Sequence, residues 1–332
     1  MNLRHAPDVV KLGFAVKVLG HGGLPSHDAR RWRSKPHLRV SLDHLDAIFG
    51  YLGDAGIEMY RMSSSLAPYA SHPDMPEFRH QVDGCIDRLG ELGTRAGEMG
   101  LRLSMHPGQY TVLNWADAQV VHAAIEELEV HAEILDAMGL GPEATIVLHV
   151  GGRAGGLGPA LDRFERGFAR LSDRARSRLI LENDDRSFSL SDVLTLAERI
   201  DRPVVWDVPH HYCYDPDRIP DAEALGLALA TWPDDVRPKI HFSSPRSDVS
   251  ERKQKRGGRT VRSVVVPSMR AHADLIDPVA FVTFMTTTAA AARPFDVMLE
   301  AKAKDIALMR LREQLSLRGY LPTETAHRDW AR

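Results

Sequence analysis

Short apolar runs, most of them rich in Val, Ile, Leu or Met and with little alternation, recur along the chain, and each stops at a side chain able to bind a metal. Leu101 to Met105 leads to His106, Thr145 to Leu148 leads to His149, and Leu179 to Leu181 leads to Glu182. Val204 to Trp206 leads to Asp207 with His210, Lys239 and Ile240 lead to His241, and Val297 to Leu299 leads to Glu300. A weaker case runs from Ile57 to Arg61 towards His72. Continuous apolar runs of this length describe strands covered on both faces. Their recurrence at spacings of roughly 25 to 60 residues describes parallel strands that deliver ligands from one common end.

The pattern predicts strands over Leu12–Val16, Glu58–Met62, Leu101–Met105, Ile146–His149, Leu179–Glu182, Val204–Asp207, Lys239–Phe242 and Asp296–Glu300. Between them the period changes to that of helices. Leu42, Leu45, Ile48, Phe49 and Leu52 form one apolar stripe; Val82, Ile86, Leu89 and Leu92 form another, which Gly100 stops. Ala123–Met138, Ala160–Leu171, Leu190–Ile200, Ala222–Thr231 and Val279–Ala292 behave likewise. Strand and helix alternating in this way predict an α/β fold, a (β/α)8 TIM barrel with its metal cluster at the C-terminal end of the strands. No linker divides the chain, so residues 1–332 are expected to form one domain with a core over roughly residues 11 to 312. Two stretches, 20–39 and 244–264, are expected as inserted loops at the ligand-bearing end, after strands one and seven.

Composition changes this picture little. With 43% apolar and 26% charged residues, the 332-residue chain can bury a large core, and its formal charge of −3 gives no global basic field. A polyanion would therefore need a local patch. Arg246, Arg252, Lys253, Lys255, Arg256, Arg259 and Arg262 around Gly257-Gly258 supply one candidate, although such runs are commonly solvated loops; Arg30, Arg31, Arg33, Lys35 and Arg39 supply a second. Cys85 and Cys213 lie far apart and outside any C-x-x-C pattern, which argues against a disulfide framework or a thiolate zinc site. No signal peptide or apolar span of membrane length is read, so a cytoplasmic location is the default expectation, with no membrane partner. The sequence carries no signal of oligomeric state.

The chemistry lies in the mixed set His106, His149, Glu182, Asp207, His210, His241, His272 and Glu300, with His72 a weaker member. Imidazoles and carboxylates without cysteine suit manganese, zinc, iron or cobalt better than calcium or magnesium. A barrel mouth crowded with such groups would leave them repelling or unsatisfied unless cations bind. The Asp207-Val-Pro-His210 segment is the strongest local signal; its bland alternative is a helix N-cap by Asp207 with His210 solvated. Glu182 reads as a bridging ligand, and Asn183, Asp184 and Asp185 either support it or form a polar turn. The glycine-rich segment Gly151 to Gly158 either presents N–H groups to a phosphate or is a flexible loop, and it makes a poor dinucleotide fingerprint.

Several motifs in order, His106-Pro-Gly-Gln-Tyr110, Tyr60-Arg-Met-Ser-Ser-Ser65, Leu181-Glu-Asn-Asp-Asp185, Asp207 to His211, Lys239-Ile-His241, His272-Ala-Asp274 and Glu300-Ala-Lys-Ala-Lys304, make the chain resemble the UV damage endonuclease family. The resemblance implies a TIM barrel with a cluster of divalent metals, usually manganese, that nicks DNA 5′ of UV photoproducts and some other lesions. It implies metal-ligand roles for His72, His106, His149, Glu182, Asp207, His210, His241, His272 and Glu300, with Glu182, Lys239 and His241 as catalytic residues and Lys239 as a site of carboxylation. Gln109 and Tyr110 match the family's pair that wedges into the duplex where lesion nucleotides are flipped out. Phe14 falls where some members carry a lesion-contacting Tyr, and Val18, Ser41 and Leu52 stand where those members carry Asn, which puts lesion preference in question. The expected function is a metal-dependent endonuclease on damaged double-stranded DNA, loaded with Mn, or with Zn, Co or Mg. Arg252, Lys253, Lys255 and Arg256 are expected to meet the DNA. Two rivals stay open at this point: a xylose-isomerase-like sugar isomerase or epimerase, and a barrel that binds damaged DNA without cutting it.

Overall fold

The computed structural model describes residues 10–257, 259–289 and 292–320. All eight expected strands are present: β1 (Leu12–Ala15), β2 (Met59–Arg61), β3 (Arg102–Met105), β4 (Thr145–His149), β5 (Leu179–Glu182), β6 (Val204–Val205), β7 (Lys239–Phe242) and, after a hairpin described below, β10 (Asp296–Leu299). They pair in parallel in the order β6-β5-β4-β3-β2-β1-β10-β7. A parallel bridge between Asp207 and His241, with the His241 N–H donating to the Trp206 carbonyl at 3.0 Å, joins the two ends and closes the barrel.

Strand residues alternate between the helix layer and the barrel interior, and this parity explains both what the interior holds and which residues reach the mouth. Outward residues such as Leu12, Phe14, Tyr60, Leu103, Ile146, Leu148, Leu181, Trp206, Ile240 and Leu299 join the large core beneath the helices. Inside, Ala15, Met59 and Met298 form a small separate cluster, and Val147, Ile180 and Val205 form another with Trp232 and Val236. Gly13 belongs to this interior. A Cβ there would lie 2.7 Å from Met59 Cγ and 2.9 Å from its carbonyl oxygen. At the N-terminal end of the strands the buried Asp296 accepts from Arg102 Nη1 at 2.7 Å and forms an ion pair with Arg237 Nε at 2.9 Å, a polar plug that leaves chemistry to the other end.

The helices follow the apolar stripes. Leu38–Asp54 buries Leu42, Leu45, Ile48, Phe49 and Leu52 as expected, with His37 Nδ1 accepting from the Arg39 N–H at its start. Helix Leu190–Ile200 opens with a reciprocal cap between Ser189 and Asp192.

Four expectations need correction. Phe14 is fully buried and packs edge-on to Tyr60, with ring centroids 5.4 Å apart, so it offers no surface to a nucleotide. Its parity is wrong for the mouth, since Gly13 and Ala15 face inward. Ile86 begins its helix half-exposed instead of facing the core, because the helix starts only there and Val82 precedes it in a turn. The expected helix Val279–Ala292 is helical over Pro278–Thr283 and continues as a π-turn over Phe284–Thr288; residues 290–291 fall outside the described residues. Finally, 244–264 is no irregular loop. It contains an antiparallel hairpin of β8 (Ser250–Arg256) and β9 (Arg259–Val265), joined by the two-residue connection 257–258.

Candidate metal centre

Glu182 sits at the centre of the barrel mouth, 1% exposed, because β5 turns its last inward position towards β4 and β6. Its Oε2 lies 3.0 Å from His106 Nε2 and 3.3 Å from His149 Nε2, and its Oε1 lies 2.6 Å from His241 Nδ1. Asp207 and Glu300 approach from the next strands, with Asp207 Oδ2 3.8 Å and Glu300 Oε1 3.4 Å from the same His241 nitrogen. Ligand-capable atoms of His106, His149 and Glu182 fall within 4.8 Å of one another, and so do those of Glu182, Asp207, His241 and Glu300. Glu182 is common to both groups. Farther out, His210 Nδ1 is 3.5 Å from Asp207 Oδ1, and His272 Nε2 is 3.8 Å from Glu300 Oε2. Eight of the sequence-predicted ligands therefore converge. His72 is not among them: its Nδ1 accepts from the Asp74 N–H, and it lines a separate 260 Å³ cleft with Tyr69, Tyr110 and Thr111.

The imidazoles are held as ligands need to be held. His106 Nδ1 donates to the Pro107 carbonyl at 3.0 Å and His210 Nδ1 to the Asn183 carbonyl at 3.0 Å. A carbonyl only accepts, so these contacts fix the proton on Nδ1 and leave the Nε2 lone pair free when the ring is neutral. Ser243 Oγ contacts His272 Nδ1 at 2.5 Å and turns Nε2 towards Glu300 in the same sense. Hydrogen bonds from the far ring nitrogen are the usual support of metal-bound histidine. Asn183, itself fully buried, bonds both the N–H and the carbonyl of Asp207, at 2.8 and 3.0 Å, and so locks β5 to β6 beneath the ligands. Arg61 Nη1 clamps Glu300 Oε1 at 2.6 Å.

Electrostatics show what this arrangement costs. Burial opposes the charge on Glu182, but His241, His149 and His106 outweigh it and hold that carboxyl well below its usual range. Asp207 goes the other way: burial, then Glu182 and Glu300, push it well above, with His210 only partly offsetting them. Burial works against the charged form of His210, yet Asp207, Glu182 and Glu300 raise it to about 9; burial takes His106 down to about 4. Asp207 does cap the helix Val208–Cys213, its Oδ1 accepting from the His210 N–H at 2.7 Å, so the bland alternative for this segment describes half of the residue. The other half, Oδ2, is buried with no hydrogen-bond partner among the described residues, as is His241 Nε2. A buried orphan oxygen at the meeting point of three carboxylates fits a divalent cation, which would complete it; His241 presents Nδ1, not Nε2, to that point.

Below His241, Lys239 is buried and its Nζ is also without a partner among the described residues; burial, Arg102 and Arg61 lower its basicity well below normal. At the rim, Gln109 is exposed and Tyr110 is 82% exposed, which is unusual for a large ring. Arg252, Lys253 and Lys255 are exposed on β8; Arg256 lies on the same strand, its side chain outside the described set. Sequence reading missed Arg61 and Ser243 as supports, and gave Asn183 only as a possible acceptor. Their partners are remote in sequence, and no local pattern marks them.

The family model described as UV-endonuclease UvdE matches residues 39–323. The chain belongs to the UV-endonuclease UvdE family. One UvdE relative, the UV DNA damage endonuclease of Bacillus cereus (strain G9842), is 32% identical over 295 residues, covering 88% of this chain and 86% of that protein. The UV DNA damage endonuclease of Clostridium perfringens is 31% identical over 274 residues, covering 82% of this chain and 61% of the longer relative. The crystal structure of SacUVDE superposes with a TM-score of 0.77 at 30% identity, covering 94% of this chain and all of that one. A 3-keto-D-glucoside 4-epimerase from E. coli reaches a TM-score of 0.53 at 13% identity, a likeness of fold alone. UvdE membership thus removes the support for the sugar-isomerase alternative. No helix among the described residues is long and apolar enough to cross a membrane.

Proposed function

We propose that this chain is a divalent-metal-dependent DNA repair endonuclease that nicks duplex DNA immediately 5′ of UV photoproducts and other distorting lesions, leaving 3′-hydroxyl and 5′-phosphate ends. One observation carries the reading: carboxylates and imidazoles from six strands meet at the barrel mouth with a buried carboxylate oxygen of Asp207 left unpartnered. Glu182 would bridge two ions, with His106 and His149 on one side and Asp207, His241 and Glu300 on the other. His210 and His272 would hold a third. When bound, the ions supply Lewis-acid charge to the phosphodiester, acidify the attacking water and neutralise the departing 3′ oxygen.

The protein's own part is positioning. The Pro107 and Asn183 carbonyls keep His106 and His210 in the ligating tautomer, Ser243 orients the His272 ring, and Arg61 prevents Glu300 from swinging out. The sulfur-free oxygen and nitrogen donor set accommodates manganese, which the family resemblance favours, with zinc, cobalt or magnesium as substitutes. Lys239 is read as a carboxylation site: burial and two nearby guanidinium groups favour loss of its ammonium proton, and the free amine can add dissolved CO2 and release a proton to give an anionic carbamate. Gln109 and Tyr110 act as the wedge: a planar phenol fills the gap left by an unstacked base, and damaged steps cost less to open than intact ones. Arg252, Lys253, Lys255 and Arg256 meet phosphates, and the protein works in the cytoplasm. Glu182→Gln tests the reading. Cleavage of irradiated plasmid should fall by several orders of magnitude while DNA binding persists, and near-normal nicking would overturn the bridging role.

A further inference from the structure

The hairpin β8–β9 contributes no ligand to the metal centre. Seven residue pairs run from Ser250↔Val265 to Arg256↔Arg259. Every residue of β9 is exposed, and so are Arg252, Lys253 and Lys255 of β8. A lone two-stranded ribbon is marginal in water and lacks a core of its own, so a ribbon kept this long has its use in contact with something else. At about 3.4 Å per residue its seven-residue strands reach roughly 20 Å.

Its root is at the metal centre. Pro245 bridges to His272, the Arg246 N–H donates to the Ala271 carbonyl at 2.6 Å, and the Ala273 N–H donates to the Ser244 carbonyl at 2.8 Å. The ribbon therefore springs from the strand pair that also carries His272, at the rim where a substrate must enter. Its charge is one-sided. The ribbon's sequence carries Arg252, Lys253, Lys255, Arg256, Arg259 and Arg262 against a single carboxylate, Glu251, which lies 3.7 Å from Arg262. Among the described residues no carboxylate lies within ion-pair distance of Arg252, Lys253, Lys255 or Arg259. The register puts Lys253, Lys255 and Arg262 on one face and Arg252 and Arg259 on the other, so cations point both ways across the ribbon.

We propose that this hairpin is an arm that enters the major groove of duplex DNA flanking the lesion and holds the phosphates on either side, independent of sequence. A two-stranded ribbon has the width that the major groove admits, and cations on both faces match a groove walled by two phosphate backbones. A protein of net charge −3 also needs such a local cationic element to retain a polyanion. The inference rests on the endonuclease reading for its substrate, but not on the cutting chemistry.

The test compares the wild-type protein with the triple variant Lys253→Ala, Lys255→Ala, Arg262→Ala, on a lesion duplex long enough to run under the arm and on one trimmed to the lesion. On the long duplex, affinity should fall at least tenfold. The slope of log affinity against log salt should shrink by about 2 to 3, since each phosphate that is no longer neutralised removes about 0.9. On the trimmed duplex wild type and variant should agree. The charge-conserving variant Lys253→Arg, Lys255→Arg should keep the wild-type slope, which separates charge from folding. An unchanged slope, equal losses on both duplexes, or arm-dependent binding to anionic vesicles with none to DNA would overturn the proposal. A wild-type protein that fails to nick irradiated DNA yet shows the arm-dependent slope would sink the endonuclease reading and leave the arm standing.

Discussion

Asp207→Asn should make the metal-free protein more stable and the metal-loaded protein less so. Asp207 is fully buried, spends Oδ1 on the His210 N–H and leaves Oδ2 unpartnered between Glu182 and Glu300. Asn keeps the cap through its oxygen and replaces the orphan oxygen with an NH2 that can donate to those carboxylates. Removing a buried unsatisfied carboxylate oxygen should return about 1–3 kcal/mol to the metal-free fold. The sign with pH follows from the raised folded-state pKa. Protonated Asp207 supports the fold fully below its unfolded value of 3.8, and that support is lost as pH rises from there towards the folded value. The variant should thus lose this part of the pH dependence and gain most at neutral pH. With manganese a thousandfold above the wild-type Kd the order reverses, because wild type gains about 4.1 kcal/mol, more than the variant's head start, while the variant, one ligand short, gains little. Thermal unfolding in chelator and in manganese reads both arms. If Asp207→Asn lowers Tm equally in the two conditions, Asp207 is a structural cap and its orphan oxygen has no bearing on metal.

Three further outcomes follow from the same geometry. Tyr110→Ala should leave metal content alone and reduce discrimination between irradiated and intact plasmid; an equal loss on both substrates would remove the wedge. Because His210 is raised to about 9 in the metal-free protein, metal must displace its proton at neutral pH, so apparent affinity should climb with pH up to about 9. Calorimetric titration in buffers of different ionisation enthalpy should detect that proton, and a buffer-independent heat would contradict the shift. Gly13→Ala should cost about 1–3 kcal/mol in chemical denaturation by forcing a methyl onto Met59, and a neutral result would mean that the barrel interior can yield.

The barrel was legible because six of its eight strands couple an apolar run to a candidate ligand two positions beyond a strand residue: Ser104 precedes His106, Val147 precedes His149, Ile180 precedes Glu182, Val205 precedes Asp207, Lys239 precedes His241 and Met298 precedes Glu300. The same parity, applied to β1, places Phe14 among the helices. The hairpin was not read: Arg256-Gly257-Gly258-Arg259 carries a two-residue turn signal, but the dense positive charge on either side masks the strand period, and the stretch reads as a loop. Arg61, Ser243 and the carbonyl of Asn183 were beyond reach for another reason. Their roles depend on contacts 239, 29 and 27 residues away, and nothing in their own neighbourhoods distinguishes them from ordinary polar residues. His72 is the reverse case, a histidine whose motif suggests a ligand and whose observed neighbours are Tyr69 and the Asp74 N–H.

The most direct measurement is metal stoichiometry on purified protein, stripped with chelator, reloaded with manganese, freed of excess ion and analysed by mass spectrometry beside Glu182→Gln. Wild type should retain more than one ion per chain, and the variant should lose at least one of them together with its nicking of irradiated DNA. Protein that holds no ion at any loading, or holds the same number with and without the Glu182 carboxylate, would contradict a cluster built around that residue.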